Sequence, residues 1–331
     1  MAPPLVSVLM AVRNGAAHLG ATLASLGAQT CEALEFVVVD DASSDATPRL
    51  LADWAARDHR VRVETVAGGC GSLPAALNRG LALCRAEFVA RADGDDLYHP
   101  ERLARQRERL LAEPGLAALS CGFHRIDSAG TRLSTAEVPT DPDLIRFTAL
   151  FQNALLHPGA MFRKAALDAV GGYDEAYWTA QDSDLFARML DAGMRLANLA
   201  EPLVEYRLHD SSRMSTRGAE GRALSLTVPA RMQAAYLGGL PEDHDAAAAV
   251  DLYQSRRPLA PDRVARGLAA LTRIDREAAR REPPAVLMRF RADLAAALRR
   301  QAGWAPRRRP FRRISLRWQA TRWQRGAVLA L

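Results

Sequence analysis

Apolar residues in the first hundred positions form short unbroken runs separated by stretches with helical spacing. Residues 5–12, LVSVLMAV, make a near-continuous apolar run that suits a central strand of a parallel sheet, buried on both faces. Arg13, Asn14 and Gly15 end it, and Leu19, Leu23 and Leu26 then mark one face of a helix that stops near Gly27. The pattern repeats three times. Phe36 to Val39 reads as a buried strand, and Thr47 followed by Pro48 starts a helix with Leu50, Leu51 and Trp54 inward. Val61 to Val66 reads as a third strand, and Ser72 or Leu73 leads into a helix running to about Arg85. A fourth strand covers 88–92. Strands alternating with helices in this way predict a parallel sheet with right-handed crossovers.

Beyond Pro100 the pattern is less regular. Leu103, Leu110 and Leu111 mark a helix ending at Pro114 and Gly115, and LAALSCGFHRI from Leu116 reads as a strand turning at Asp127 to Gly130 into a hairpin partner. A short helix is expected over 141–151, a strand over 157–164 with His157 at its start, and a helix from Lys164 to Gly171. Asp182 and Asp184 then open a helix with Leu185, Met189 and Leu190 inward, and 194–199 and 203–206 read as two closing strands. From about 216 the strand signal stops; Ala, Leu and Arg dominate, in helical stretches broken by Pro229, Pro241, Pro258 and Pro261. The expected organisation is an α/β domain over 1–215, a helical region over 216–298 and a basic aromatic tail over 299–331.

Composition is that of an ordinary globular protein of 331 residues, 49% hydrophobic and 25% charged. The net charge of +6 is unevenly placed: residues 299–331 hold ten arginines and no acid, and removing those ten from the 44 basic residues leaves 34 against 38 acidic, or −4, over the first 298. With Phe311, Trp318 and Trp323 among its arginines, the tail is a candidate for an anionic membrane surface, although its apolar residues fall on two faces of a helix and arginines lie all round. A solvated or partner-bound tail fits equally. Removing it is expected to leave the remainder active. No nucleic-acid module is recognisable, and no nucleic-acid partner is expected. Cys31, Cys70, Cys84 and Cys121 show no C-x-x-C spacing, which points to reduced thiols and away from zinc. The first apolar run lacks a basic leader and is soon interrupted by Arg13, and no run approaches the length of a membrane span. A cytoplasmic location, or a peripheral one at the inner membrane face, is the expectation.

Candidate chemistry sits where strands end. Asp40 and Asp41 follow the second strand; Asp93, Asp95 and Asp96 follow the fourth, in EFVARADGDDLYHP. In open α/β sheets ligands bind at that edge. Three acids in four residues repel one another unless a cation lies between them, and such hard oxygen ligands suit Mg²⁺ or Mn²⁺ on a substrate phosphate. A helix-capping loop is the plain alternative for one cluster, but a cap needs one acid, not two clusters at one edge. Gly94 is expected to let the chain turn so that Asp93 and Asp95 converge. Asp182 lies in a run rich in Trp and Tyr, where a partly desolvated carboxylate could act as a base. Arg207 and His209, just past the last strand, suit an anionic phosphate. The GGCGS segment at 68–72 lacks the G-x-G-x-x-G spacing and follows the wrong strand for a dinucleotide site.

Taken in order, the V-R-N ending of the first strand, V-V-D-D-A-S, D-G-D-D-x-x-x-P, H-P-G-x-x-F-R, Q-D-S-D-L and Y-R-x-H resemble the family 2 glycosyltransferases over residues 5 to about 215. The resemblance implies a GT-A fold, a mixed, mainly parallel sheet flanked by helices and here followed by a helical appendage. It also implies inverting transfer of a sugar from a nucleotide-diphosphate donor to a glycan or glycolipid acceptor. It places Asp41 on the nucleobase beside the backbone of Ala11 to Arg13, Asp93 near the ribose, and Asp95 on a Mn²⁺ or Mg²⁺ ion bridging the diphosphate. Asp182 would be the catalytic base, and His209 would help hold the metal or diphosphate. The chain departs from the family pattern at Arg13, where an aromatic residue is common, at Gln181, where Glu is usual, and at Leu77, where Arg is common. The family chemistry needs no covalent intermediate. A sugar nucleotidyltransferase, or a nucleotide-sugar-binding protein without catalysis, would also use acids at strand ends.

Overall fold

The computed structural model describes residues 3–31, 33–208, 218–304, 316–317 and 319–323. The chain divides into two compact units, residues 1–145 with 153–221, and residues 146–152 with 222–331. The alternation read from the apolar runs is seen as β1 (Val6–Val12), α1 (Ala16–Gly27), β2 (Leu34–Asp40), α2 (Thr47–Arg57), β3 (Val61–Thr65), α3 (Leu73–Leu81) and β4 (Phe88–Arg91). There follow β5 (Leu97–Tyr98), α4 (Arg102–Ala112), β6 (Leu116–Ile126), β7 (Arg132–Ala136) and α5 (Pro142–Thr148). Then come β8 (Met161–Arg163), α6 (Lys164–Ala169), α7 (Gln181–Asp191) and β9 (Arg195–Arg207). One sheet takes all nine strands in the order β3-β2-β1-β4-β8-β6-β9-β5, with β7 on β6.

The sheet directions decide where the polar residues gather. β1 pairs in parallel with β2 and β4, and β2 with β3, so the residues after Val12, Asp40, Thr65 and Arg91 leave the sheet at one edge. β8 is antiparallel to both β4 and β6, and β6 is parallel to β9. The end of β9 at Arg207 therefore reaches that same edge. Every residue of β1 and β2 is buried, as unbroken apolar runs require of strands covered on both faces. Gly80 lets α3 lie close on this sheet: a Cβ there would overlap Leu9 and stand 3.1 Å from Val39 Cγ2.

Several elements differ from expectation. The helix expected to reach Arg85 ends at Leu81. His157 does not start a strand; His157–Gly159 is a 3₁₀ turn and β8 begins only at Met161, because Pro158 has no N–H to give a ladder. The two closing strands are one, β9. The break at Pro202 is absorbed by register shifts on either side of Gly122, where a Cβ would lie 2.6 Å from Ala200 O.

The second unit is helical: α8 (Gly218–Leu237), α9 (Ala246–Gln254), α10 (Pro261–Arg281) and α11 (Pro284–Trp304). Pro229 lies inside α8 and does not end it, with buried Val228 and Met232 on either side. Phe147 and Phe151 belong to this unit and join Tyr236, Tyr253 and Phe290 in its aromatic core, with the Phe151 and Tyr253 rings stacked at 4.4 Å. Residues 299–304 are the end of α11. There the side chain of Gln301 accepts from Leu259 N–H at 3.0 Å and donates to Ser255 Oγ at 3.0 Å. Trp323 is 1% exposed and meets the edge of Phe290 at 6.2 Å. Phe311 and Trp318 lie outside the described residues. No helix among the described residues is long and apolar enough to cross a membrane.

Truncation at 299 therefore removes Gln301 and Trp323, two side chains packed in this unit. Trp323→Ala alone is expected to cost about 3–5 kcal/mol of stability in this unit. Urea titration followed by far-UV circular dichroism checks this; an unmoved midpoint would show that Trp323 contributes nothing to the core.

Candidate active site

The turn after β1 and the loop after β2 are laced together by side chains acting as backbone substitutes. Ser43 Oγ accepts from Asn14 N–H at 2.9 Å, Thr47 Oγ1 from Gly15 N–H at 2.9 Å, and Asn14 Oδ1 from Ser44 N–H at 2.8 Å. Asp40, fully buried, accepts from Ser43 N–H at 3.1 Å with one oxygen, and its Oδ2 is buried without a partner. Asn14 and Ala42 hold positive φ, of 53° and 56°, a conformation that non-glycine residues keep only where their surroundings impose it. These bonds tie the V-R-N ending of β1 to the D-D-A-S loop after β2.

The lacing sets Arg13 beside Asp41. Asp41 donates its N–H to Val12 O at 2.9 Å, and its buried carboxylate accepts from the Cys70 N–H. The glycine segment, which carries no dinucleotide fingerprint, supplies that donor. Gly68, Gly69 and Gly71 all have φ near +80°, and a Cβ on Gly69 would stand 3.2 Å from Asp41 Oδ1 and 3.9 Å from Arg13 Nη1. Ala11 is a buried residue of β1, paired with Val39 of β2.

At the end of β4, Asp93, Asp95 and Asp96 each offer a carboxylate oxygen within 4.8 Å of the others. Among the described residues this is the group with metal-ligand spacing. Asp93 and Asp96 each have their own support. Arg91, 1% exposed, pairs with Asp93. Tyr98 Oη accepts from Asp93 N–H at 2.6 Å, and the Arg102 guanidinium lies 4.5 Å above the Tyr98 ring. Asp96 accepts from Arg207 N–H at 2.8 Å, while its Oδ2 is buried without a partner. Burial first, then the charges of Asp95 and Asp93, push the Asp96 carboxyl well above the usual carboxylate range. A divalent cation would remove that repulsion and give the orphaned oxygen a partner, so these residues fit one. Gly94 plays a different part from the one expected. Its φ is not positive; its missing Cβ makes room for Val12 Cγ2, which would stand 3.2 Å away.

Arg207 is not turned toward a phosphate. Its side chain donates to the carbonyls of Asp95 at 2.8 Å and of Asp127 and Ser128 at 3.0 Å, so it fastens the acid loop to β9 and to the β6–β7 turn. His209 lies outside the described residues.

Asp182 and Asp184 separate cleanly. Asp184 is fully buried and bonded to Arg188 Nε at 2.7 Å, and Arg188 Nη2 reaches Gly172 O at 2.8 Å. Asp184 therefore orients Arg188, which holds α7 to the chain before it. Asp182 is partly exposed in the first turn and accepts from Asn153 Nδ2 at 2.9 Å. Ala180, just before the helix, is buried with φ 62°, so the start of α7 is rigidly set. Asn78 clamps Tyr173, donating to its carbonyl and accepting from its N–H, each at 2.8 Å. The Tyr173 hydroxyl in turn meets His157 Nε2 at 2.8 Å. Burial, then the Arg91 charge, hold the His157 imidazole well below the usual histidine range, which makes it a neutral packing partner.

Two tyrosines report how these groups lie together. The Tyr206 phenol is pushed up by burial first and then by the charges of Asp96, Asp93, Asp95 and Asp182. Tyr173 is pushed up by burial, opposed by Arg91, and pushed further by Asp182 and Asp93. Charges act on a phenol in this way only at short range. Both phenols therefore lie within electrostatic range of Asp182 and of acids of the 93–96 loop.

The sequence profile of the family described as Glycosyl transferase family 2 matches residues 7–171. The O-antigen biosynthesis glycosyltransferase WbnJ of Escherichia coli is 28% identical over 211 residues, 63% of this chain and 81% of that protein. The O-antigen biosynthesis protein RfbC of Myxococcus xanthus is 33% identical over 219 residues, 65% of this chain and only 17% of that longer protein. Among solved structures, the mannosyltransferase PcManGT of Pyrobaculum calidifontis, in complex with GDP-Man and Mn²⁺, superposes with a TM-score of 0.55 at 21% identity, covering 97% of this chain and 87% of that one. At that identity the likeness speaks for the fold. The chain belongs to glycosyl transferase family 2 and is a glycosyltransferase built on the GT-A fold.

Proposed function

We propose that the protein is a metal-dependent inverting glycosyltransferase that moves a sugar from a nucleotide-diphosphate donor to a hydroxyl of a glycan or glycolipid acceptor in surface polysaccharide assembly. The observation that carries this reading is the cluster of Asp93, Asp95 and Asp96 at the end of β4, with carboxylate oxygens within 4.8 Å of one another and the buried Oδ2 of Asp96 without a partner. Supporting it, PcManGT was solved with a nucleotide sugar and Mn²⁺, and WbnJ and RfbC are named for O-antigen biosynthesis.

In this reading Asp41, one oxygen held by the Cys70 amide, accepts from the nucleobase, with Arg13 and the backbone of Ala11 to Arg13 beside it. Asp93, held by Arg91, faces the ribose. Asp95 would hold Mn²⁺ or Mg²⁺ with Asp96 in reach, and a bound ion would supply positive charge against the departing diphosphate. Asp182 accepts the proton of the acceptor hydroxyl as its oxygen bonds to the anomeric carbon. The bond to the diphosphate breaks on the opposite face, so configuration inverts. Trp178, 43% exposed in the segment leading into α7, offers a ring face to an acceptor sugar.

Incubation with a panel of nucleotide sugars and Mn²⁺ tests the proposal. Slow release of nucleoside diphosphate from one donor is expected. Pyrophosphate released from a nucleoside triphosphate and a sugar phosphate would instead make it a nucleotidyltransferase, and turnover of neither would leave a binding protein.

A further inference from the structure

We infer that Asn153 is a positioning residue for the base: its amide fixes Asp182 so that one carboxylate oxygen is held and the other is presented to the acceptor hydroxyl. The inference rests on the reading of Asp182 as the base and adds a group that no motif in the sequence marks. Asn153 Nδ2 donates to Asp182 Oδ2 at 2.9 Å. The orientation of the amide is set from the other side, since Asn153 Oδ1 accepts from Leu155 N–H at 3.3 Å. An oxygen facing Asp182 would repel it and strand that N–H, so the NH₂ end must be the one turned to the carboxylate.

The support behind this contact is firm on both sides. Ala154 and Leu155, after Asn153, are buried, and Ala154 O accepts from Asn198 Nδ2 at 3.0 Å. On the Asp182 side, Ala180 and Asp184 are buried. Asn153 and Asp182 themselves remain solvent-facing, as a base that receives an incoming hydroxyl requires. Once donor and acceptor exclude water, a neutral donor to the ionised carboxylate gains strength. It also denies Asp182 rotamers that turn the free oxygen from the anomeric carbon, and misplacement of a base is expensive in rate.

The test separates this role from simple anchoring of the loop. Asn153→Ala removes both hydrogen bonds. Asn153→Asp keeps an oxygen for Leu155 N–H but takes away the donor and sets a second carboxylate against Asp182. Asn153→Ala is expected to lower kcat by about 10- to 100-fold with donor affinity, read by titration calorimetry, within twofold of the parent. Asn153→Asp is expected to fall at least as far. In an Asp182→Asn background, Asn153→Ala should add nothing further. An Asn153→Asp enzyme near parental kcat would overturn the inference, because only the loop anchor would then matter. So would a fall in donor affinity that accounts for the lost rate. If Asp182→Asn itself transferred normally, the base assignment would fail, which is a different outcome from either.

Discussion

Asp182→Asn is expected to lower sugar transfer by at least about 10²-fold, the lower end of what a positioned general base contributes. Donor affinity should stay within a few-fold. The substitution is nearly isosteric, and the new amide can still accept from Asn153 through its oxygen, so the start of α7 should be undisturbed. Arg188, oriented by Asp184, ties the helix to Val170 and Gly172 without Asp182, and the variant should melt with the parent. Single-turnover assays with saturating donor, alongside calorimetric titration of the nucleotide sugar, separate rate from binding. Loss of donor affinity equal to the loss of rate would move Asp182 out of the base role and onto the donor.

The second large effect is expected at the acid loop. Asp95→Ala should weaken metal-dependent donor binding by about 100-fold or more, since losing a ligand should exceed the 10- to 100-fold typical of outer partners. In metal-free protein the same change removes a charge that opposes ionisation of buried Asp96, so the melting temperature should not fall. That pairing of outcomes is specific: a loop residue with a merely structural role would lose stability and leave the Mn²⁺ titration unchanged. Mn²⁺ titration in the presence of nucleoside diphosphate, followed by electron paramagnetic resonance, reads the first half; differential scanning calorimetry reads the second.

Much of this site is legible in the amino-acid sequence because its chemistry sits at the ends of strongly patterned elements. β1, β2 and β4 are buried runs, and parallel pairing alone brings Arg13, Asp41 and Asp93 to one edge. The remainder lacks such a pattern. β5 has only two residues, Leu97 and Tyr98, too few for a period, yet it closes the sheet against β9 and sets Tyr98 beneath Asp93. Pro202 interrupts the strand signal of β9, although the bulge opposite Gly122 keeps the strand whole. Phe147 and Phe151 have the spacing of a local helix face, but their ring partners Tyr236, Tyr253 and Phe290 lie far along the chain. Asn153 is one polar residue in a loop, and only its two opposed hydrogen bonds give it away. The glycines at 68–71 have the composition of a phosphate loop and instead hold the Cys70 amide against Asp41.

Crystals grown with Mn²⁺ and the nucleoside diphosphate of the preferred donor, with diffraction measured at the manganese edge, address the shared site most directly. One anomalous peak is predicted at about 2 Å from an Asp95 carboxylate oxygen, with the diphosphate on the ion, the base against Asp41, and Asp182 across the sugar position. A manganese peak remote from Asp95, or a nucleotide whose base lies away from Asp41, would contradict the account.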